Sequence, residues 1–191
     1  MDPHRELPTL EGSRIRLRQL GAGDVPALFS VFSDAQVMRY WSHAPLRTLD
    51  QADWYLRDID AGRASGSHLQ WGIAGTDDDV VFGAAILFAF DRTRLRAEIG
   101  YALAHAHWRD GYATEALGLL LAHAFTSLSL SAIEADVDER NAASRGLLEK
   151  LGFEDSGKRS LRSYAHEPDH HGIKYILHKY AFQALTGTTK P

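Results

Sequence analysis

Nine residues, Trp108-Arg109-Asp110-Gly111-Tyr112-Ala113-Thr114-Glu115-Ala116, constrain this chain more than any other stretch, because they join a strand-like run to an amphipathic helix through a slim turn. Ala97-Glu98-Ile99-Gly100-Tyr101-Ala102-Leu103 leads in, and Leu117, Leu120, Leu121, Ala124, Phe125 and Leu128 follow at helical spacing. Strand, turn and helix in that order leave successive backbone N–H groups at a helix start, with the positive end of the dipole behind them, which suits a phosphate. Gly111 lets a ligand approach where a Cβ would collide. A glycine before a helix also serves as a plain connection. The turn has neither the Gly-x-Gly-x-x-Gly of a dinucleotide site nor the Gly-Lys-Ser/Thr of a Walker loop.

A second motif gives the turn its meaning. Asn141-Ala142-Ala143-Ser144 runs through Arg145-Gly146-Leu147-Leu148-Glu149-Lys150 to a glycine stop at Leu151-Gly152-Phe153, about thirty residues downstream. Together the two motifs resemble the acetyl-CoA-binding core of the GCN5-related N-acetyltransferases (GNATs), most closely the RimJ/RimL-like branch of ribosomal-protein N-terminal acetyltransferases. The loop of that branch reads Trp-Gly-x-Gly-Tyr-Ala-Thr-Glu-Ala, and Trp108, Gly111, Tyr112, Ala113, Thr114, Glu115 and Ala116 match it. Arg109 stands where the branch has glycine, which adds a positive charge beside the expected phosphates and makes the backbone less permissive. Trp108 replaces the Gln or Arg that opens the loop in the wider superfamily. The likeness runs from about Arg14 to Tyr180, and it speaks to the fold far more than to the acceptor.

Composition sets the bounds. The 191 residues, 45% hydrophobic, fit one domain with a self-sufficient core. A formal charge of −4 gives no basic footprint for nucleic acid. With no cysteine, disulfides, thiolate metal sites and an acyl-cysteine intermediate are excluded, so direct transfer is the natural mechanism. Met1 to Leu10 lacks the apolar run of a signal peptide, and no stretch approaches the roughly 20 apolar residues of a membrane span, so a soluble cytoplasmic protein is expected.

Along the chain, Arg14-Ile15-Arg16-Leu17-Arg18 alternates as a strand, and Asp24-Val25-Pro26 reads as an N-cap opening a helix to about Phe32. A second helix is expected from Asp50 to about Ala61. Two strands, near His68 to Ala74 and Val80 to Phe90, are joined by Gly75-Thr76-Asp77-Asp78-Asp79, read as a solvated hairpin turn rather than a metal site. After the loop helix come a strand at Ala132 to Val137, a helix at Ala142 to Leu151, a strand from Phe153, and a last strand at Gly172 to Tyr180. Thr186 to Pro191 reads as a frayed tail. The expected architecture is a single α/β domain over residues 1–191, with a mixed, largely antiparallel seven-stranded sheet and about four flanking helices. The resemblance implies that the sheet splays between its fourth and fifth strands, about Arg96 to Leu103 and Ala132 to Val137, and that acetyl-CoA enters the gap. It also allows a homodimer.

Acetyl transfer from a thioester to an amine needs a neutral amine, a stabilised oxyanion and a protonated leaving thiolate. Glu98 matches the strand-four glutamate of the branch and is the candidate base, acting through water, or a substrate anchor; the alternative is a structural carboxylate. The resemblance puts oxyanion donors among the backbone N–H groups near Ala102 and Leu103, an edge with which the amide-rich pantetheine arm would pair as an added strand. Many superfamily members place an acidic tyrosine in the second helix, at the position of Leu148 here. The branch offers a serine instead, Ser144, whose alternative role is a first-turn helix residue. Asn141 is expected on the pantetheine, or as a helix cap. The cofactor set is thus Ala102, Leu103, Arg109, Asp110, Gly111, Tyr112, Ala113, Thr114, Asn141 and Ser144, and no metal is expected.

Tyr40 and Trp41, on a long loop with His43 and Arg47, are the candidate acceptor-binding residues, joined by Arg162 and His170; Tyr164 is read either as substrate-facing or as a packed aromatic. His166, His170 and His171 have a spacing that could hold zinc, though the chemistry requires none. The expected partner is a primary amine, a protein N-terminus or a small molecule such as a polyamine, amino-acid derivative or antibiotic. A non-catalytic acyl-CoA-binding module is the rival from another class.

Overall fold

The computed structural model describes residues 6–160 and 171–187. Its sheet has eight strands in the spatial order β1-β2-β3-β4-β5-β6-β8-β7. In chain order these are β1 (Leu10–Glu11), β2 (Ile15–Arg18), β3 (His68–Gly75), β4 (Val81–Asp91), β5 (Arg96–Leu103), β6 (Ala132–Asp138), β7 (Glu154–Ser160) and β8 (Gly172–His178). The helices are α1 (Val25–Phe32), α2 (Leu49–Ser65), α3 (Tyr112–Thr126), α4 (Ala142–Lys150) and α5 (Lys179–Thr186). Every neighbouring pair of strands is antiparallel except β5 and β6. None of the described helices is long and apolar enough to cross a membrane.

The two faces of the sheet bury different partners. Leu117, Leu120, Leu121, Ala124 and Phe125 of α3 pack on Ile15, Leu17, Trp71, Leu87 and Ile99, in the larger core that continues to β6 and β8. Each such leucine contributes roughly 1.5–3 kcal/mol by leaving water. On the opposite face Leu28, Val31, Phe32, Leu56 and Ile59 of α1 and α2 cover Ala74, Val81, Ala84 and Ala102. Successive residues of β5 therefore serve opposite faces, Ile99 and Leu103 one and Ala102 the other.

The seam between β5 and β6 is the feature that positions the site. Only Arg96↔Ala132, Ala97↔Ile133 and Glu98↔Glu134 pair across it. Beyond Glu98, β5 stays paired with β4 as far as Leu103, and β6 stays paired with β8 as far as Asp138. The sheet is thus open from Ile99 onward.

Four readings of the sequence are corrected. Leu10–Glu11 adds an edge strand, giving eight strands, so the splay falls at the fifth and sixth. Residues 179–186 form a fifth helix, in which Phe182 is buried 5.2 Å from the Phe125 ring; β8 runs into it with no glycine or proline between them. Helix α2 starts one residue early, on a Thr48 cap that accepts from the Gln51 N–H, and runs to Ser65 before Gly66 at φ 69° stops it. Asp24 occupies the cap position of α1 but does not cap it. Its carboxylate takes Arg18 Nη1 and Nη2 at 2.8 Å each, a bidentate ion pair, and the Gly21 N–H at 2.8 Å, so both oxygens are committed away from the first turn of α1. In the three-aspartate turn, Asp79 accepts from Arg18 at 3.0 Å and Asp78 from the Val80 N–H at 3.0 Å.

Candidate active site

The turn before α3 is built on two residues in the left-handed region, Arg109 at φ 67° and Gly111 at φ 82°. Gly111 is the N-cap of α3 and supplies no side chain to it, so the N–H groups of Tyr112, Ala113 and Thr114 at the helix start are offered outward. That geometry is a concave anion cradle. Arg109 explains why glycine suits its position: an L side chain at positive φ costs about 1–2 kcal/mol. Its guanidinium is exposed and makes no hydrogen bond or ion pair among the described residues.

Three contacts hold the turn in place. The Trp108 indole N–H donates to the Leu103 carbonyl at 2.8 Å, tying the loop to the end of β5. Tyr112 packs 5.2 Å from Phe82, whose ring stacks on His107 at 4.2 Å. Arg14 donates from Nη1 to the Asp110 carbonyl at 2.9 Å, and its guanidinium lies 4.6 Å over the Tyr112 ring. Tyr112 and Asp110 thus have their side chain and carbonyl, respectively, committed to the protein.

Glu115 completes this brace from inside the first turn of α3. Its Oε1 accepts from the Ser13 and Arg14 N–H groups at 2.7 and 2.9 Å, and its Oε2 accepts from Arg14 Nε at 3.0 Å. Burial pushes the carboxyl up, but the hydrogen bonds from Arg14 and Ser13 outweigh it and hold it below the usual carboxylate range. Ser13, Arg14 and Glu115 were not singled out from the sequence. The Glu of the loop motif was visible; its partners, a hundred residues away, were not.

The strand edge facing the gap can be read from the ladder. Ala104 N–H bonds the Phe82 carbonyl, and in an antiparallel pair alternate residues turn to the same neighbour. The Ala102 N–H therefore faces β4, whereas the Tyr101 and Leu103 N–H groups face the opened seam. Of the two backbone donors expected on this strand, it is that of Leu103 that points where a ligand would lie. Glu98 sits half-buried at the last shared rung, opposite Phe88 on one side and Glu134 on the other. By alternation it projects from the face opposite to Tyr101.

Helix α4 closes the far wall. Asn141 caps it, its Oδ1 accepting from the Ser144 N–H at 3.1 Å; its amide NH₂ takes no part in that bond. Ser144 Oγ lies 2.6 Å from the Tyr101 hydroxyl. Leu148, one turn further on, is fully buried in the core. Tyr101 was not singled out from the sequence, though the alternation of its strand already set it on the helix side.

At the other lip, the Tyr40 ring lies 5.2 Å from the Arg39 guanidinium and 5.8 Å from that of Arg140, which stands in the β6–α4 loop. This brings Tyr40 to the seam. Trp41 instead packs edge-on to Phe32 at 5.6 Å and 5.5 Å from His43, beside the α1 and α2 core. Arg162, Tyr164, His166 and His170 lie outside the described residues. Among the described residues no three His, Cys, Asp or Glu side chains group as a metal site.

The comparisons with known proteins agree with this fold. The Acetyltransferase (GNAT) domain family matches residues 14–154. YoaA, an uncharacterised N-acetyltransferase of Bacillus subtilis (strain 168), is 33% identical over 174 residues, covering 91% of this chain and 96% of its own. Among solved structures, Mycobacterium smegmatis RimJ in complex with CoA-disulfide shares the fold at a TM-score of 0.78 and 20% identity, over 91% of this chain and 89% of its own. Spermidine N-acetyltransferase from Vibrio cholerae, in complex with CoA and spermine, does so at 0.78 and 19%, over 90% and 99%. Fold, family match and relatives converge: the chain belongs to the GNAT acetyltransferase family and is an N-acetyltransferase.

Proposed function

We propose that this N-acetyltransferase moves an acetyl group directly from acetyl-CoA to a primary amine, with the α-amino group of a protein as the preferred acceptor. The observation that carries the reading is the meeting of two ligand-facing edges in one mouth: the α3 start at Gly111, with no capping side chain, and the opened β5 edge at Leu103. Residues 109–114 fit a pyrophosphate, with Arg109 adding a cation, and the β5 edge and Asn141 fit an amide-rich arm.

Each residue then has a task. Glu98 draws the proton from the amine through a water as nitrogen attacks the thioester carbon. The Leu103 N–H donates to the carbonyl oxygen as negative charge develops there. Ser144 donates a hydrogen bond to the sulfur as the carbon–sulfur bond breaks. Tyr40, at the lip, meets the acceptor with Trp41 behind it. Ala102 serves through the packing that sets the edge.

A cationic small molecule is the second reading, and one observation bears on it. Glu134, Asp136 and Asp138 alternate onto the same face as Glu98, which would attract a polyamine. Arg96 meets Glu134 at 3.1 Å, Ser160 donates to Asp136 at 2.8 Å, and Arg140 holds the fully buried Asp138 at 2.7 Å. Two of these three carboxylates are paired with a guanidinium and the third is tied to a hydroxyl, which favours the peptide. Whether a second copy of the chain contributes to the mouth belongs to the same experiment.

The test is CoA release from acetyl-CoA with Ser- and Ala-initiated peptides, spermidine and amino-acid amides as acceptors, run beside a measurement of oligomeric state. Turnover with the peptides supports the reading. Turnover confined to spermidine transfers it to the second, and acetyl-CoA binding without CoA release from any acceptor overturns both.

A further inference from the structure

Tyr101 and Ser144 join the two sides of the opened seam. Tyr101 lies on β5, beyond the last rung shared with β6, and Ser144 lies in the first turn of α4, the helix that follows β6. Their oxygens are 2.6 Å apart, at the short end of hydroxyl hydrogen bonds. The Tyr101 ring packs against the larger core, so the phenol is held in place. Ser144 is fixed from the other side by its N–H to Asn141.

The pair also has a defined protonation state. Burial pushes the Tyr101 phenol up to about 12, with the Ser144 hydrogen bond opposing the rise. The phenol therefore keeps its proton near neutral pH and has one to share. A serine hydroxyl has one proton and can accept while it donates. If the phenol donates to Ser144 Oγ, the serine proton is turned away from Tyr101 and toward the gap. The buried Leu148 leaves no hydroxyl on the next turn of α4 to take that role.

We propose that Tyr101 is the positioning residue of acetyl transfer: its phenol donates to Ser144 Oγ and aims the serine O–H at the sulfur of the thioester. This rests on the reading of Ser144 as the hydrogen-bond donor to sulfur. No proton changes owner within the pair. As the carbon–sulfur bond breaks, its electron pair stays on sulfur, Ser144 stabilises it by a hydrogen bond, and the thiolate takes its proton from solvent after release.

The experiment uses CoA itself as the probe, bound to the full chain, and follows the ultraviolet absorbance of its thiolate through a pH titration. In the unmodified protein the bound thiol titrates below free CoA. Tyr101→Phe and Ser144→Ala each move it up by about one pH unit, the worth of a hydrogen bond to a charged group, and the double variant moves it no further. Each leaves the dissociation constant of CoA within about twofold, and each lowers kcat for CoA release about tenfold at unchanged KM for acetyl-CoA. A titration that Ser144→Ala moves and Tyr101→Phe does not overturns the positioning role while leaving Ser144 intact. A titration that neither variant moves overturns the Ser144 reading and the proposal with it. Loss of CoA affinity in Tyr101→Phe assigns the residue to packing and also overturns the proposal.

Discussion

Arg14 and Glu115, 101 positions apart in the chain, grip the turn before α3 between them: the Arg14 guanidinium donates to Glu115 Oε2 at 3.0 Å and to the Asp110 carbonyl at 2.9 Å. The start of β2 is thereby fastened to the start of α3, and the turn is held by its outer side while its N–H groups face away.

Replacing Glu115 with Ala removes the acceptor for two backbone N–H groups and a guanidinium, and Gln keeps one neutral oxygen while losing the charge and the oxygen that pairs with Arg14. The expected loss is about 1–3 kcal/mol in urea unfolding at neutral pH. Because the folded carboxyl is held below its unfolded value, its contribution is present above the unfolded pKa and is lost as pH falls through the folded one. The difference between Glu115→Gln and the unmodified protein should shrink on acidification; a constant difference would assign the effect to packing.

Arg109→Gly should act in opposite directions on stability and binding. It relieves a left-handed side chain, so thermal stability should hold or rise by up to about 1 kcal/mol. It removes a cation from the cradle, so calorimetry should find CoA binding weakened several-fold and its salt dependence flattened. Unchanged affinity at both low and high salt would place the guanidinium in solvent.

Glu98→Gln should lower kcat on the order of 10²-fold with CoA affinity nearly intact, and should remove the acidic limb of the pH–rate profile. A profile of unchanged shape would remove Glu98 as base.

Leu148→Tyr, which writes the superfamily's usual tyrosine into α4, should cost about 1–3 kcal/mol, because the site is fully buried and has no room for a ring and hydroxyl. Denaturation would read the cost directly. A stable variant with raised turnover would show that α4 can shift to expose this position.

What was legible in the chain was what short range encodes. The strand, turn and helix around Gly111 depend on neighbours within a few residues and follow from spacing; the cap at Asn141 is equally local, and capping was the alternative to its expected contact with pantetheine. The strained backbone at Arg109 was signalled by its departure from glycine. Tyr101 and Ser144 are forty-three positions apart and meet only because β5 and β6 part after Glu98, a matter of register that periodicity does not carry. Arg14 was visible as a strand residue, but its hold on Glu115 belongs to the tertiary fold. Asp24 shows the reverse case: a residue with the right chemistry for a cap was claimed by a stronger partner, Arg18.

The three-rung seam between β5 and β6 is also where the sheet is expected to part first. Backbone hydrogen bonding passes from one part of the sheet to the other through the rungs at Arg96, Ala97 and Glu98 and the adjoining Ser131 N–H to Leu95 carbonyl bond, so β6, α4, β7 and β8 are expected to open as one sub-global unit before β2 to β5 do. A donor molecule that bridges the gap would weld the two units together, and amide exchange in β6 and β8 would slow by the free energy of its binding, RT ln(1 + [L]/Kd). A substrate seated in that opening would thus become a part of the fold's own cohesion.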